Sequence, residues 1–139
     1  MYKYFLLMGL SFTVFIAWII FQANTGGNNI FFDIMHGVPY GDKFGHFGLF
    51  GTLTMFAIII SRFSYFRVGR LKIYYGALVI SVFVICEEVS QAFIPSRTFD
   101  LVDLVAGGIG IALFTLLTIK LKQLSDKKTI KHNQPIKDF

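Results

Sequence analysis

The chain has little charge and almost no cysteine. Only 15% of its residues are Asp, Glu, Lys or Arg, which excludes a disordered self-repelling chain, a coiled coil and a charged nucleic-acid binder. A single cysteine, Cys86, excludes an intramolecular disulfide and a cysteine-based zinc site. Set in an apolar run, it reads as inert packing. There is no internal repeat and no low-complexity segment. Also missing are a serine nucleophile elbow, an HExxH pair and a phosphate-binding loop. What the chain does have is apolar bulk: 55% hydrophobic residues, 17 phenylalanines and a mean hydropathy of +0.64. With 139 residues it makes one compact unit rather than two domains. The balance fits a small integral membrane protein, with the bilayer as the solvent.

A membrane-crossing helix needs about 20 mostly apolar residues. Four stretches approach this: 4–21, 44–61, 73–94 and 101–119. Polar or turn-forming residues break the chain at 24–29, 62–72 and 95–100, and again after Lys120. The fold class expected is all-α, an integral membrane four-helix bundle. Residues 1–22 form a first anchor helix, 23–119 an outer loop plus a three-helix core, and 120–139 a basic tail. The first stretch is longer than a signal-peptide core and lacks a small-x-small cleavage site, so it reads as a retained helix. Its lack of polar residues suggests anchoring and packing.

Charge orients the four stretches. Lys3, Arg62, Arg67, Arg70, Lys72, Lys120, Lys122, Lys127, Lys128, Lys131 and Lys137 share one side; Lys43 and Arg97 occupy the other. Of the acids, only Asp126 and Asp138 join the basic side. The two sides carry +9 and −4. The positive-inside rule places both termini in the cytoplasm. The basic tail serves topology and touches anionic lipid. It lacks the aromatic interleaving of a nucleic-acid binder, and no nucleic-acid partner is expected.

The polar residues of the apolar stretches gather at their outer ends. Ionisable groups in a membrane are costly and mark function by default. On the third stretch Glu88 shares a helical column with Ala77, Ser81, Val84 and Gln91, a small and polar face. Glu87 stands about 100° away, over Ile80 and Phe83, and is expected to face lipid. On the fourth, Asp100 and Asp103 sit above Ala106, Gly107 and Gly110, a face open to a close helix. On the second, Asp42 and His46 are at i, i+4 beside Gly45 and Gly48. Asp42, His46, Glu88, Gln91, Asp100 and Asp103 thus converge on one outward pocket, with Arg97 over its mouth. A group so rich in acid needs a cation from Arg97, Lys43, a metal or a substrate. Asp42 and Asp100 also suit helix N-caps. The loop 23–43 holds an apolar run at 30–35 that lies on the interface or covers the pocket, and its His36 reads as an ordinary interfacial residue.

Two motifs carry a family pattern. Asp42-Lys43-Phe44-Gly45-His46 resembles the D-K-x-x-H opening of the VanZ-like family. The run from Glu88 through Gln91, Phe93, Pro95, Arg97 and Asp100 to Asp103 resembles its E-x-x-Q-x-F-x-P-x-R-x-x-D-x-x-D signature, and Gly110 matches a later glycine. The resemblance covers about residues 40–115. One place departs: the family commonly has asparagine four residues after the last aspartate, where this chain has Gly107. The resemblance implies a multi-pass protein of a bacterial inner membrane. The family's namesake is associated with teicoplanin resistance, so it points to the cell envelope and glycopeptide susceptibility without naming a reaction.

Three functional readings follow. The first is a pocket that binds or modifies an envelope component, such as a lipid-linked or anionic precursor. There Asp42, His46, Glu88 and Asp103 are candidate catalytic groups, and Lys43, Gln91, Arg97 and Asp100 candidate ligand contacts. The second is a non-enzymatic membrane factor or assembly partner, its polar cluster a structural clasp and its glycine faces suited to self-association. The third makes Asp42, His46, Glu88 and Asp103 ligands of a metal. A lone histidine among carboxylates is a thin metal signature, so no metal ligand and no cofactor is assigned.

Overall fold

The computed structural model describes residues 1–27 and 29–132, the last two by backbone alone. Lys137 and Asp138, used above for topology, lie outside the described residues. The chain is mostly helical. Five helices appear among the described residues: α1 (Tyr2–Asn24), α2 (Ile30–Gly37), α3 (Gly41–Ile60), α4 (Tyr75–Gln91) and α5 (Leu101–His132). A hairpin of β1 (Tyr65–Val68) and β2 (Leu71–Tyr74) separates α3 from α4.

Three helices are long and apolar enough to cross a membrane: α1, α3 and α5. The third expected stretch is not among them. Its helix has only 17 residues, about 26 Å, and carries two glutamates just before its last turn. Its first residues went instead into β2, where Ile73 pairs with Phe66. Gly69, at φ 60, supplies the positive φ that a two-residue hairpin turn needs. The break at 62–72 is therefore an ordered hairpin, and the loop 23–43 contains a helix. Asn29 caps that helix by accepting from Phe31 N–H at 2.9 Å and Phe32 N–H at 3.1 Å.

α3 is the central element. α1 runs antiparallel to it, its Tyr2 hydroxyl donating to Ile60 O at 2.6 Å and Phe12 packing on Phe56. α5 runs parallel to α3. A Cβ on Gly110 would strike the Phe47 carbonyl, and one on Gly51 the Phe114 ring at 2.5 Å, so these two glycines set the approach of the helices. Gly48 faces open space and Gly45 meets only Met35 Sδ at 3.7 Å, so the expected packing role of that pair moves to Gly51. α4 crosses antiparallel to both, its Gly76 tight against the Ala57–Ile58 backbone. The core is Ile16, Phe50, Leu53, Ile80, Val84 and Ile111.

Much of the outer surface is apolar. Leu7, Val14, Val79, Val82, Ile109 and Leu116 are exposed. Only 33% of the most apolar window of α3, the central helix, is buried. Contiguous apolar surface on that scale needs a nonaqueous neighbour. Cys86 is exposed as well, not packed inside as its apolar setting suggested.

Candidate functional site

The polar residues of α3, α4 and α5 meet at one end of the helices, opposite the hairpin. The arrangement follows from helix direction: the start of α3, the end of α4 and the start of α5 share that end. Two adjoining clusters result.

The first is centred on Lys43. Its Nζ donates to Asp42 Oδ2 at 2.7 Å, Asp100 Oδ2 at 2.8 Å and Asp103 Oδ1 at 2.8 Å. It thus ties α3 to the start of α5. Asp103 is buried, and its charge is balanced only because the ammonium lies against it. Asp100 also caps α5, accepting from Val102 N–H at 2.8 Å, as its place before an apolar run suggested. The hydrogen bond from Lys43, then that from Val102, holds the Asp100 carboxyl below the usual aspartate range. Asp42 does not cap α3. Tyr40 occupies that position, at φ 59, with no side-chain cap.

The second cluster joins His46 of α3 to Glu87, Glu88 and Gln91 of α4. Glu88 is fully buried. Its Oε1 accepts from Asp100 N–H at 2.9 Å, and its Oε2 from Gln91 Nε2 at 3.2 Å. Gln91 also donates to both oxygens of Glu87 at 3.1 Å. His46 Nε2 lies 3.6 Å from Glu88 Oε2, and its Nδ1 is 2.9 Å from Asp42 O.

Glu87 overturns an expectation. It is 8% exposed, faces the cluster and lies 3.7 Å from Arg97 Nη2. In sequence its face, with Phe83 and Ile80 below it, reads as lipid-facing. Phe83 is exposed but Ile80 is buried. α1 stands across this face, so the side that looks outward in a three-helix view is interior in the full chain. The loop carrying Arg97 is fastened to α1 by Ser96, whose hydroxyl donates to Asn24 O at 2.9 Å.

Between these elements lies a cavity of about 390 Å³. Glu87, Gln91, Arg97, His46 and Asp103 form its polar wall; Ile16, Ile19, Phe31, Phe32 and Phe50 form its apolar wall. α2 contributes Phe31, Phe32, Met35 and His36, so the loop expected to lie on the interface or cover the pocket does line it. α1, expected only to anchor and pack, contributes Ile16, Ile19, Ile20 and Ala23.

All eight candidate residues gather at this end, but in two sets. Asp42, Lys43, Asp100 and Asp103 form a closed ionic knot. His46, Gln91 and Arg97, with the unanticipated Glu87, line the cavity's polar wall, and Glu88 lies buried behind it. The proposed ligand set of Asp42, His46, Glu88 and Asp103 is thereby divided, because Lys43 already fills the space between Asp42 and Asp103. Gly107, where the family pattern has asparagine, packs against Val84 Cγ1 and Phe50 with no side chain to spare: a Cβ there would sit 3.2 Å from Val84.

No family model matches the chain, and no solved structure matches it. An uncharacterized protein of Schizosaccharomyces pombe is 34% identical over 119 residues, a stretch taking in 85% of this chain and 68% of the relative. With that identity over most of both proteins, the chain belongs to the same family as this uncharacterized yeast protein.

Proposed function

We propose that the chain is a multi-pass membrane protein, a four-helix bundle of VanZ-like type, whose cavity takes the polar head of an anionic, phosphate-bearing lipid or lipid-linked envelope component. Both termini lie in the cytoplasm and the cavity opens on the opposite side. The observation that carries the reading is the cavity's two-sided wall: aliphatic and aromatic residues of α1 and α2 face a charged wall from α4 and its following loop. That is the chemistry of an amphiphile site.

Arg97 is the cation that engages the head. Among the residues lining the cavity it is the one permanent cation. Lys43 is committed to three aspartates, whereas Arg97 has one long contact with Glu87, at 3.7 Å. Its fork can hold two oxygens of a phosphate at once, which lysine cannot copy. Glycopeptide susceptibility enters as one consequence of altered envelope lipid. The reading is one of binding. Ser90 donates to Glu87 O at 2.6 Å and Ser96 to backbone carbonyls, so neither is set beside a base.

A second reading accounts for the other half of the cluster. Lys43 joins two helices through three short ion pairs, which is a structural clasp. The two halves separate by mutation. In detergent-purified protein, native mass spectrometry with added phosphatidylglycerol should show one retained lipid per chain, lost about tenfold in Arg97→Lys. Phosphatidylcholine should be retained more weakly. Equal retention of both lipids by wild type and Arg97→Ala would reject the binding reading.

A further inference from the structure

We propose that His46 Nε2, Glu88 Oε2 and one oxygen of Glu87 form a site for a single divalent transition-metal ion, zinc fitting best. The three residues each offer a donor atom, and all three atoms lie within 4.8 Å of one another. A tetrahedral zinc with bonds of about 2.0–2.2 Å holds its donors about 3.4 Å apart. The His46–Glu88 pair, at 3.6 Å, needs almost no movement to reach that spacing.

The proton count points the same way. His46 Nδ1 faces a backbone carbonyl, which only accepts, so Nδ1 carries the proton. In the neutral ring Nε2 then presents a lone pair. It is aimed at Glu88 Oε2, another acceptor, across 3.6 Å, too far for a hydrogen bond. Two such groups are balanced either by a second proton on the ring or by a metal ion between them, and a 3.6 Å gap is the spacing of two donors on one metal. An imidazole oriented through its other nitrogen by a backbone carbonyl is the usual arrangement of a metal-bound histidine. Both carboxylates are held in place by hydrogen bonds: Gln91 Nε2 reaches both oxygens of Glu87 and Oε2 of Glu88, each of which keeps a second lone pair for a metal, and Asp100 N–H fixes the remote Oε1 of Glu88.

The neighbouring triad shows what balance looks like here. Asp42, Asp100 and Asp103 also converge, and there the ammonium of Lys43 lies at 2.7–2.8 Å from each. Glu87 and Glu88, both buried, have the neutral Gln91 amide between them and Arg97 at 3.7 Å from Glu87 alone. A divalent ion supplies the missing charge. Three protein donors leave a fourth position, and His46 and Glu87 border the cavity, so that position opens onto it. The site does not depend on which molecule fills the cavity, and its failure would leave the lipid reading standing.

Full-length protein, stripped with a chelator in detergent and then exposed to zinc and desalted, should retain about one zinc per chain by elemental mass spectrometry. His46→Ala and Glu88→Gln should each lower this about tenfold; Asp33→Asn, on the exposed side of α2, should not. Cobalt loaded into the wild-type protein should give the visible bands of a tetrahedral site, and X-ray absorption should show one imidazole donor per metal. That measurement needs no variant to fold. Wild-type protein that retains no zinc, zinc that survives both substitutions together, or a cobalt shell without imidazole would each overturn the site.

Discussion

At the scale of single residues, the site rests on which charges are paired. Lys43 is 21% exposed at its side chain and neutralises Asp103, which is 10% exposed. Removing one partner of a buried pair leaves an uncompensated charge, at a cost of about 3–5 kcal/mol when burial is complete and less at this partial exposure. Lys43→Met should therefore lower the melting temperature in detergent sharply. Adding Asp100→Asn and Asp103→Asn to it should recover most of the loss, and absence of recovery would mean that the ion pairs contribute little. Acid should act on the same contact. The Asp100 carboxyl is held below its unfolded value by Lys43, so its stabilising contribution is complete above the ordinary aspartate range. It is lost as pH falls through the lower folded value. Thermal melts should be level above about pH 5 and fall below about pH 4 for wild type, and the fall should flatten in Lys43→Met. These partners were partly legible in the sequence: the helical column through Val84 and Gln91 places Glu88 inside, and Asp100 precedes an apolar run as a cap does. Glu87 was not legible. Whether its face meets lipid or protein depends on where α1 lies, and no local pattern encodes that.

At the scale of elements, glycine distinguishes real helix contacts from apparent ones. Gly110 and Gly48 look alike in sequence, each in a small-residue stretch of an apolar helix. In the fold, Gly110 rests on the Phe47 backbone and Gly48 faces open space. Gly110→Val should cost about 2 kcal/mol or more through forced separation of α3 and α5. Gly48→Ala, with open space for its methyl, should be neutral or stabilise by up to about 1 kcal/mol. Comparable melting temperatures for the two variants would contradict the packing. The helical apolar stretches were readable because hydropathy reports them directly. The hairpin was not, because Arg67, Arg70 and Lys72 look like a loop until Tyr65 and Tyr74 pair across it. α2 was hidden too, an apolar run of six residues being too short to declare a helix without its Asn29 cap.

At the scale of the whole molecule, the two ends have opposite chemistry. One holds the hairpin, the start of α1 and the basic length of α5, with Arg62 4.9 Å over the Tyr2 ring and Lys122 4.9 Å over the Phe63 ring. Aromatic and basic residues together are what a cytoplasmic membrane interface collects. The other end holds the acidic clusters and the cavity. The short α4 fits this division: its buried glutamates lie at the cavity end, Glu87 on the cavity wall and Glu88 behind it. The central claim is that the cavity opens on the side opposite the basic end, across a membrane. The most direct measurement is labelling of single cysteines in intact cells, in a Cys86→Ser background, with a reagent that does not cross membranes. Cysteine at Ser96, beside the cavity, should label from outside, and cysteine at Ser64 or Ser125 should label only after the membrane is opened. The reverse pattern would turn the cavity toward the cytoplasm and contradict the account, and labelling of all three in intact cells would remove the membrane from it.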